Sequence, residues 1–195
     1  MDVAPEPYYY DYPSAGGSLL GIGIGGNLEY AAQLQYGAEG NAERFLREAL
    51  DSLLSQSYTY WEAICVNDGS TDGSLSILKK YAARDSRFNV LDGPNGGYGK
   101  AMNRGLQAAK GEYTTIFEPD DALPPAAYEH MIEAAQKHQA DIVKGDCTQF
   151  YEEKGKRIFN WQHRAMPEEV FSLATCPQYA IAGIDTWCGM YRMDL

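Results

Sequence analysis

No stretch of the chain reaches the roughly 18 consecutive apolar residues that a membrane-spanning helix needs. No basic segment followed by an apolar one stands near the start, so no signal peptide is expected. The four cysteines, Cys65, Cys147, Cys176 and Cys188, form no C-x-x-C pair, which argues against zinc and for a reducing compartment. Positive charge is scarce: 16 Lys and Arg stand against 27 Asp and Glu, a formal net charge of −11. That argues against a phosphate-backbone binder, which normally carries a basic face, and no nucleic-acid partner is expected. It leaves room for a nucleotide held across a divalent cation. What is present, 45% hydrophobic and 22% charged residues in 195, describes one globular domain, or one domain with a long arm.

Residues 1–40 differ in kind from the rest. Tyr8-Tyr9-Tyr10-Asp11-Tyr12, bracketed by prolines, reads as an irregular or extended arm. Gly21, Gly23 and Gly26 fit G-x-G-x-x-G, but the dinucleotide fingerprint needs a strand before it, and only Ser18-Leu19-Leu20 separates it from Gly16-Gly17. A flexible glycine-rich linker is the expected reading, followed by a short helix from Asn27 to Tyr36.

From Asn41 the pattern is regular. Phe45, Leu46, Ala49, Leu50, Leu53 and Leu54 form one apolar helix face, with Asn41 as N-cap. Ala63-Ile64-Cys65-Val66 is a continuously apolar strand ending in Asn67-Asp68-Gly69-Ser70. A helix is expected from Asp72, with Leu75, Leu78 and Tyr81 inward, then a strand over Phe88 to Leu91. The turn Asp92 to Gly97 leads into a helix from Tyr98 to Ala109, stopped by Gly111. A strand through Ile116-Phe117 ends in Glu118-Pro119-Asp120-Asp121. Beyond it come a helix (Pro125 to Lys137), a strand (Asp141 to Val143), a mixed β segment through Trp161 and a strand over Trp187 to Tyr191. Apolar strands alternating with amphipathic helices predict an α/β fold, a mostly parallel sheet flanked by helices on both faces. Ligands of such sheets bind at the carboxyl ends of the strands.

Two readings of Glu118-Pro119-Asp120-Asp121 are open. Clustered carboxylates repel one another and suit a hard cation, Mg²⁺ or Mn²⁺. Alternatively, Asp121 is an acidic N-cap for the helix that follows. Asp68 is placed to accept from a base or ribose, and backbone N–H groups around Gly97 to meet phosphate. Lys100 and Arg104 add positive charge, and the carboxylates would hold a divalent ion on a diphosphate.

Four ordered motifs carry a resemblance. The segment Asn41 to Gln56 is similar to the first helix of family 2 inverting glycosyltransferases, which have the GT-A fold (Rossmann-like). Asn67-Asp68-Gly69-Ser70-Thr71-Asp72-Gly73-Ser74 resembles their D-D-G-S-x-D-G-S loop, and Asn95 to Leu106 resembles N-x-G-x-x-x-A-R-N-x-G-L. Lys110-Gly111-Glu112-Tyr113 with Glu118-Pro119-Asp120-Asp121 resembles K-G-E-Y-(x)-D-x-D-D, the metal site, and Trp187 to Arg192 a later tryptophan-bearing strand. The resemblance covers residues 41–195. It implies a nucleotide-sugar-binding domain over 41–195 behind an atypical arm, 1–40. It further implies metal-assisted transfer with inversion from a nucleotide-diphosphate donor, commonly a UDP-sugar, to a saccharide or lipid-linked acceptor.

By that resemblance Asn67, Asp68, Gly97, Lys100, Arg104 and Glu118 bind the donor. Asp120 and Asp121 bind Mn²⁺ or Mg²⁺, with Glu118 and Asp120 in the D-x-D positions. A cytoplasmic protein, peripheral to the inner membrane face and active in cell-surface polysaccharide biosynthesis, is the corresponding expectation.

The sequence departs from the family in three places. Tyr36 to Gly40 stands where an apolar first strand ending in P-V-Y-N belongs, so either the arm supplies a substitute, Leu19 to Ile24, or the sheet lacks a member. Met102 replaces the usual arginine. By the resemblance, the region that usually carries the catalytic base is expected beyond Leu195, which leaves Asp185 as the late acid near the tryptophan strand. Two further readings are a truncated or degenerate relative that binds nucleotide without turnover, and a nucleotidyltransferase. The latter needs a basic glycine-rich loop, whereas no Lys or Arg precedes Asn41.

Overall fold

The computed structural model describes residues 18–25, 28–31, 42–145, 147–153, 156–163, 170–172, 174, 176 and 189–194. The elements run β1 (Ser18–Gly25), β2 (Leu28–Ala31), α1 (Ala42–Leu54), β3 (Trp61–Asp68), α2 (Ser74–Ala82), β4 (Phe88–Gly93), α3 (Tyr98–Ala108), β5 (Tyr113–Ile116), α4 (Ala127–His138), β6 (Ile142–Lys144), β7 (Cys147–Glu153), β8 (Lys156–His163) and β9 (Gly189–Arg192). One sheet has the strand order β4-β3-β1-β5-β9-β6, with β2 paired to β1, and β7 and β8 form a separate antiparallel pair.

Strand β3 is buried at every position, and its side chains serve two cores by simple alternation. Trp61, Ala63 and Cys65 join α1, α2 and α4 residues in the larger core, including Leu46, Leu50, Leu53, Ile77, Leu78, Tyr128 and Ile132. Ile64 and Val66 face the other way, against Ala101 of α3 and its neighbours Tyr98 and Ala108. Helices therefore cover both faces, as the sequence pattern predicts. On α1 the residues Leu46, Ala49, Leu50 and Leu53 are fully buried, whereas Leu54, expected on the same face, is exposed.

Strands β3 and β4 are parallel. Strand β5 runs in the same direction as β3, because both are antiparallel to β1. Strand β6 shares that direction through β9, which is antiparallel to both β5 and β6.

The slot between β3 and β5 is where the expected linker is corrected. Ser18–Gly25 is a strand there, taking up the substitute-strand alternative, and it runs antiparallel, from Ser18↔Asn67 to Ile24↔Trp61. The backbone groups that β3 turns toward the slot need partners once water is excluded, and a glycine-rich segment meets that need as well as any. A parallel strand would end at the same rim as β3. Because β1 is reversed, Ser18 lies level with Asn67 and Gly25 lies toward the opposite end. The expected helix over Asn27 to Tyr36 is also corrected, because Leu28–Ala31 is the strand β2, paired to β1 from Ile22↔Ala31 to Gly25↔Leu28. The rest of that expected helix, and the residues Trp187 and Cys188 of the expected tryptophan strand, lie outside the described residues.

Smaller shifts have local causes. Helix α2 starts at Ser74 because Asp72 Oδ1 accepts the Ser74 N–H at 3.0 Å, a local turn ahead of the helix. Helix α3 ends through extended Ala109, so Gly111 does not serve as its left-handed stop.

Gln56, just after α1, ties this frame to the loop beyond β5. Its Nε2 donates to the Pro124 carbonyl at 2.8 Å and to the Ser52 carbonyl at 3.1 Å, and its Oε1 accepts the buried Tyr128 N–H at 3.2 Å. Gln56 is only 5% exposed, so water cannot replace those bonds. Gln56→Ala should lower unfolding stability in urea by about 1–3 kcal/mol, the cost of stranding a buried donor and a carbonyl. An unchanged midpoint would show that the loop holds without it.

Candidate functional site

The carboxyl ends of β3, β4 and β5 lie on one rim. Register makes this concrete: Asp68 pairs with Gly93, and Gly21 of β1 lies level with both Ile64 and Ile116. The residues that follow Ile116 therefore climb alongside Cys65 to Asp68.

At the β3 exit, Gly69 adopts φ 75° and passes so close to the next loop that a Cβ there would stand 2.6 Å from the Asn95 nitrogen. Only glycine fits both conditions. Asp68, 5% exposed, accepts the Gly96 N–H at 3.0 and 3.1 Å and the Gly97 N–H at 2.9 Å. Asn95 Oδ1 also accepts the Gly97 N–H, at 3.1 Å. Gly97 itself has φ 84° and precedes the first turn of α3. Asn67 Nδ2 donates to Asp92 Oδ1 at 2.7 Å, tying the ends of β3 and β4 through side chains.

The two cations of α3, four residues apart, differ in commitment. Arg104 donates to the Asp92 carbonyl at 3.0 Å and lies flat against Gly93, where a Cβ would stand 2.9 Å from its guanidinium. Lys100 is exposed, its stem passing over Gly96, and its ammonium makes no hydrogen bond or ion pair among the described residues. Lys100 is thus the cation at this rim with its charge uncommitted.

Beyond β5 the acidic segment is a tight turn. The Asp121 N–H donates to the Glu118 carbonyl at 3.1 Å, with Pro119 at the second position, which its fixed φ favours. The helix-cap reading of Asp121 is therefore corrected: α4 begins only at Ala127, its N-cap is Ala126, and no side chain caps it. The Tyr98 hydroxyl reaches Glu118 Oε1 at 3.4 Å, joining the first turn of α3 to the acidic turn.

Asp120 and Asp121 are exposed by surface area, yet the protein atoms packed around their carboxyls make desolvation the main influence on both. Burial raises the Asp120 carboxyl above its usual value. Burial, and then the charge of Asp120, push Asp121 up to about 6. Among the described residues no group of three His, Cys, Asp or Glu side chains is placed to hold a metal. Two adjacent carboxylates nevertheless fit a hard divalent ion whose remaining ligands are water and phosphate oxygens, the usual arrangement for Mg²⁺. The donor set fits an ion that arrives with a diphosphate better than one caged by protein alone.

A family model, glycosyl transferase family 2, matches residues 40–195. The chain belongs to that family. As a family 2 glycosyltransferase chain it is 40% identical over 117 residues to the uncharacterized glycosyltransferase EpsJ of Bacillus subtilis, covering 60% of this chain and 33% of that protein. It is 31% identical over 163 residues to glycosyltransferase GlyA of Streptococcus pneumoniae, covering 80% of this chain and 23% of GlyA. The chain thus spans between about a quarter and a third of the length of these two relatives.

Among solved structures, S. aureus TarS 1–349 aligns with TM-score 0.58 at 21% identity, over 85% of this chain and 45% of that one. Its complex with UDP-GlcNAc aligns with TM-score 0.56 at 23% identity, over 78% of this chain and 43% of that one. These likenesses show the GT-A-type α/β fold.

In this family 2 chain the structure gathers Asn67, Asp68, Gly97, Lys100, Arg104, Glu118, Asp120 and Asp121 at one end of the sheet, on the exits of β3, β4 and β5. Asp185 lies outside the described residues. Sequence reasoning missed Asn95 as a partner of Gly97, and Tyr98 as the link to Glu118. A tyrosine between two glycines at a helix start was the available signal for the second.

A carboxyl whose pKa rises on folding favours the folded state while protonated. For Asp121 that contribution is complete below pH 4 and is lost as pH climbs through about 6. Without metal, Asp121→Asn should therefore unfold later than wild type at pH 8 and match it near pH 4. Solvent screening holds the difference below about 1 kcal/mol. Denaturation across that range checks it, and a less stable variant at pH 8 would refute the desolvated-pair description.

Proposed function

We propose that this chain binds a nucleoside-diphosphate sugar across the β3–β4–β5 rim and transfers the sugar, with inversion, to a hydroxyl of a saccharide or lipid-linked acceptor. The observation that carries the reading is the contact between Tyr98 and Glu118, which sets the glycine-rich start of α3 directly beside the acidic turn. A diphosphate needs both halves: hydrogen-bond donors and cations on one side, and a carboxylate-held divalent ion on the other.

Asn67 and Asp68 form the nucleoside end, and the turn at Gly97 with Lys100 and Arg104 the side that meets phosphate. Glu118 with Asp120 and Asp121 forms the acidic side. Asp120 and Asp121 would hold Mn²⁺ or Mg²⁺, which when bound stabilises the charge left on the departing diphosphate. Lys100, exposed and uncommitted, brings a positive charge to the same group. UDP is the favoured nucleotide, supported by family membership and by TarS, a fold neighbour solved with UDP and with UDP-GlcNAc.

Inversion requires one in-line attack, with a carboxylate removing the proton of the acceptor hydroxyl. Asp185 is the candidate for that task on sequence grounds. The unit that does this spans 41–195, completed by β1 from the segment before it. With a lipid-linked acceptor, the chain would work at the inner face of a membrane; among the described residues no helix is long and apolar enough to cross one.

The reversed direction of β1 favours a second reading, a domain that binds nucleotide without turnover. Ser18, the start of a strand, lies beside Asn67 where a parallel strand would end. Release of UDP from a UDP-sugar separates the two, since binding alone releases none.

Calorimetric titration tests the shared part. UDP should bind with Mn²⁺ present and at least about tenfold more weakly with the metal chelated. Asp120→Asn and Asp121→Asn should each remove that metal dependence. Equal UDP affinity with and without metal would refute the assignment of the acidic turn.

A further inference from the structure

The acidic turn carries three carboxylates, and the fold treats one of them apart. Asp120 and Asp121 are exposed, whereas Glu118 is half-buried. Among the described residues no three acidic, histidine or cysteine side chains converge as a metal set, so Glu118 does not join the other two around one point. It meets Tyr98 instead, whose hydroxyl donates to Oε1 at 3.4 Å.

Tyr98 is built to hold a carboxylate in one place. It opens α3, directly after Gly97 with its φ of 84°. With Gly97 before it and Gly99 after it, it is the one side chain this helix start presents ahead of Lys100. Its ring is half-buried and packs in the smaller core against the buried residues Ile64, Val66 and Ala101. A ring fixed by such packing has little rotamer freedom left to lose when its hydroxyl takes up a partner. The reach comes from Glu118. The family pattern that the turn resembles has aspartate at this position, and glutamate is longer by one methylene. An aspartate on the same backbone would fall short, since the contact is already 3.4 Å long with the glutamate.

Resting on the donor-binding reading above, we infer that Tyr98 is a positioning residue that draws the Glu118 carboxylate toward α3 and out of the metal set, leaving Asp120 and Asp121 to hold the ion. Held there, Glu118 accepts from hydroxyl groups of the bound nucleotide. Released, it adds a third negative charge beside the other two, where the diphosphate must lie. Two carboxylates suffice for the ion because the diphosphate and water supply its remaining oxygens.

The test uses the full chain, with Tyr98→Phe, Glu118→Ala and the double variant. It reads UDP affinity with Mn²⁺ saturating and with the metal chelated. Tyr98→Phe keeps the ring in the smaller core and removes only the hydroxyl, so it should weaken UDP about threefold, the share of one long hydrogen bond. Glu118→Ala should weaken UDP at least as much, yet keep the gap of at least about tenfold between metal-bound and chelated binding that Asp120→Asn and Asp121→Asn abolish. Adding Tyr98→Phe to Glu118→Ala should then change nothing further, because Tyr98 acts through Glu118. A merely structural role for Tyr98 would add its own loss in the double variant.

Equal UDP affinity in wild type and Tyr98→Phe would overturn the inference. So would additive losses in the double variant, and so would loss of metal dependence in Glu118→Ala, which would put that carboxylate in the metal set. Should Glu118→Ala fail to fold, Glu118→Asp carries the test. Too short for Tyr98, it should lose as much as Tyr98→Phe and no more when the two are combined; an unaffected Glu118→Asp, or additive losses, would overturn the inference. A wild-type chain that binds no UDP with Mn²⁺ present refutes the donor reading itself, and the inference falls with it.

Discussion

Strand β3 is buried on every residue, and that single constraint organises the molecule. Two faces must be covered, so α1, α2 and α4 pack on one and α3 on the other. Two edges must be paired, because buried N–H and C=O groups without partners cost about 1–3 kcal/mol each. Strand β4 satisfies one edge and β1 the other. A strand so enclosed can open to solvent only at its ends. Its carboxyl end, at Asn67 and Asp68, is where polar groups gather.

The charges on that rim are handled in three ways in a chain whose overall balance is strongly acidic. Asp92 is met by the amide of Asn67, and the backbone of its strand end by Arg104. Asp68 is met by backbone N–H groups. Among the described residues Asp120 and Asp121 receive backbone contacts from within their own turn, while burial raises both carboxyls and the charge of Asp120 raises Asp121 further. The first two arrangements are settled internally and make the rim rigid. The third leaves a deficit of positive charge beside Lys100, whose own charge is uncommitted among the described residues.

Rigidity and deficit are linked through the loops. Gln56 anchors the segment behind the acidic turn from below, and Tyr98 touches Glu118 from the side. The acidic turn is thus held by α1 and α3 without having either as its own helix. Local sequence suggested an N-cap because a helix followed, but Ala122 to Ala126 intervene and carry the chain to the Pro124 and Pro125 carbonyls that Gln56 and Ser57 use.

By itself the sequence determined the alternation of apolar strands and amphipathic helices from Ala42 to His138, because hydrophobic period is a local property. It also singled out the loops that the structure gathers on one rim, since glycine and acid clusters at strand exits leave their mark on short stretches. It left Ser18–Gly25 between a linker and a substitute strand and misread Leu28–Ala31 as helix, because their composition favours neither state decisively. Only the tertiary structure made them strands, because the unpaired edge of β3 needed a partner and imposed extended backbone on the segment within reach. Tertiary structure alone also decided the direction of β1, the distance of Asp121 from α4, and the engagement of Asp68 with Gly96 and Gly97. Each of these depends on contacts between residues far apart in the chain, which no local pattern records.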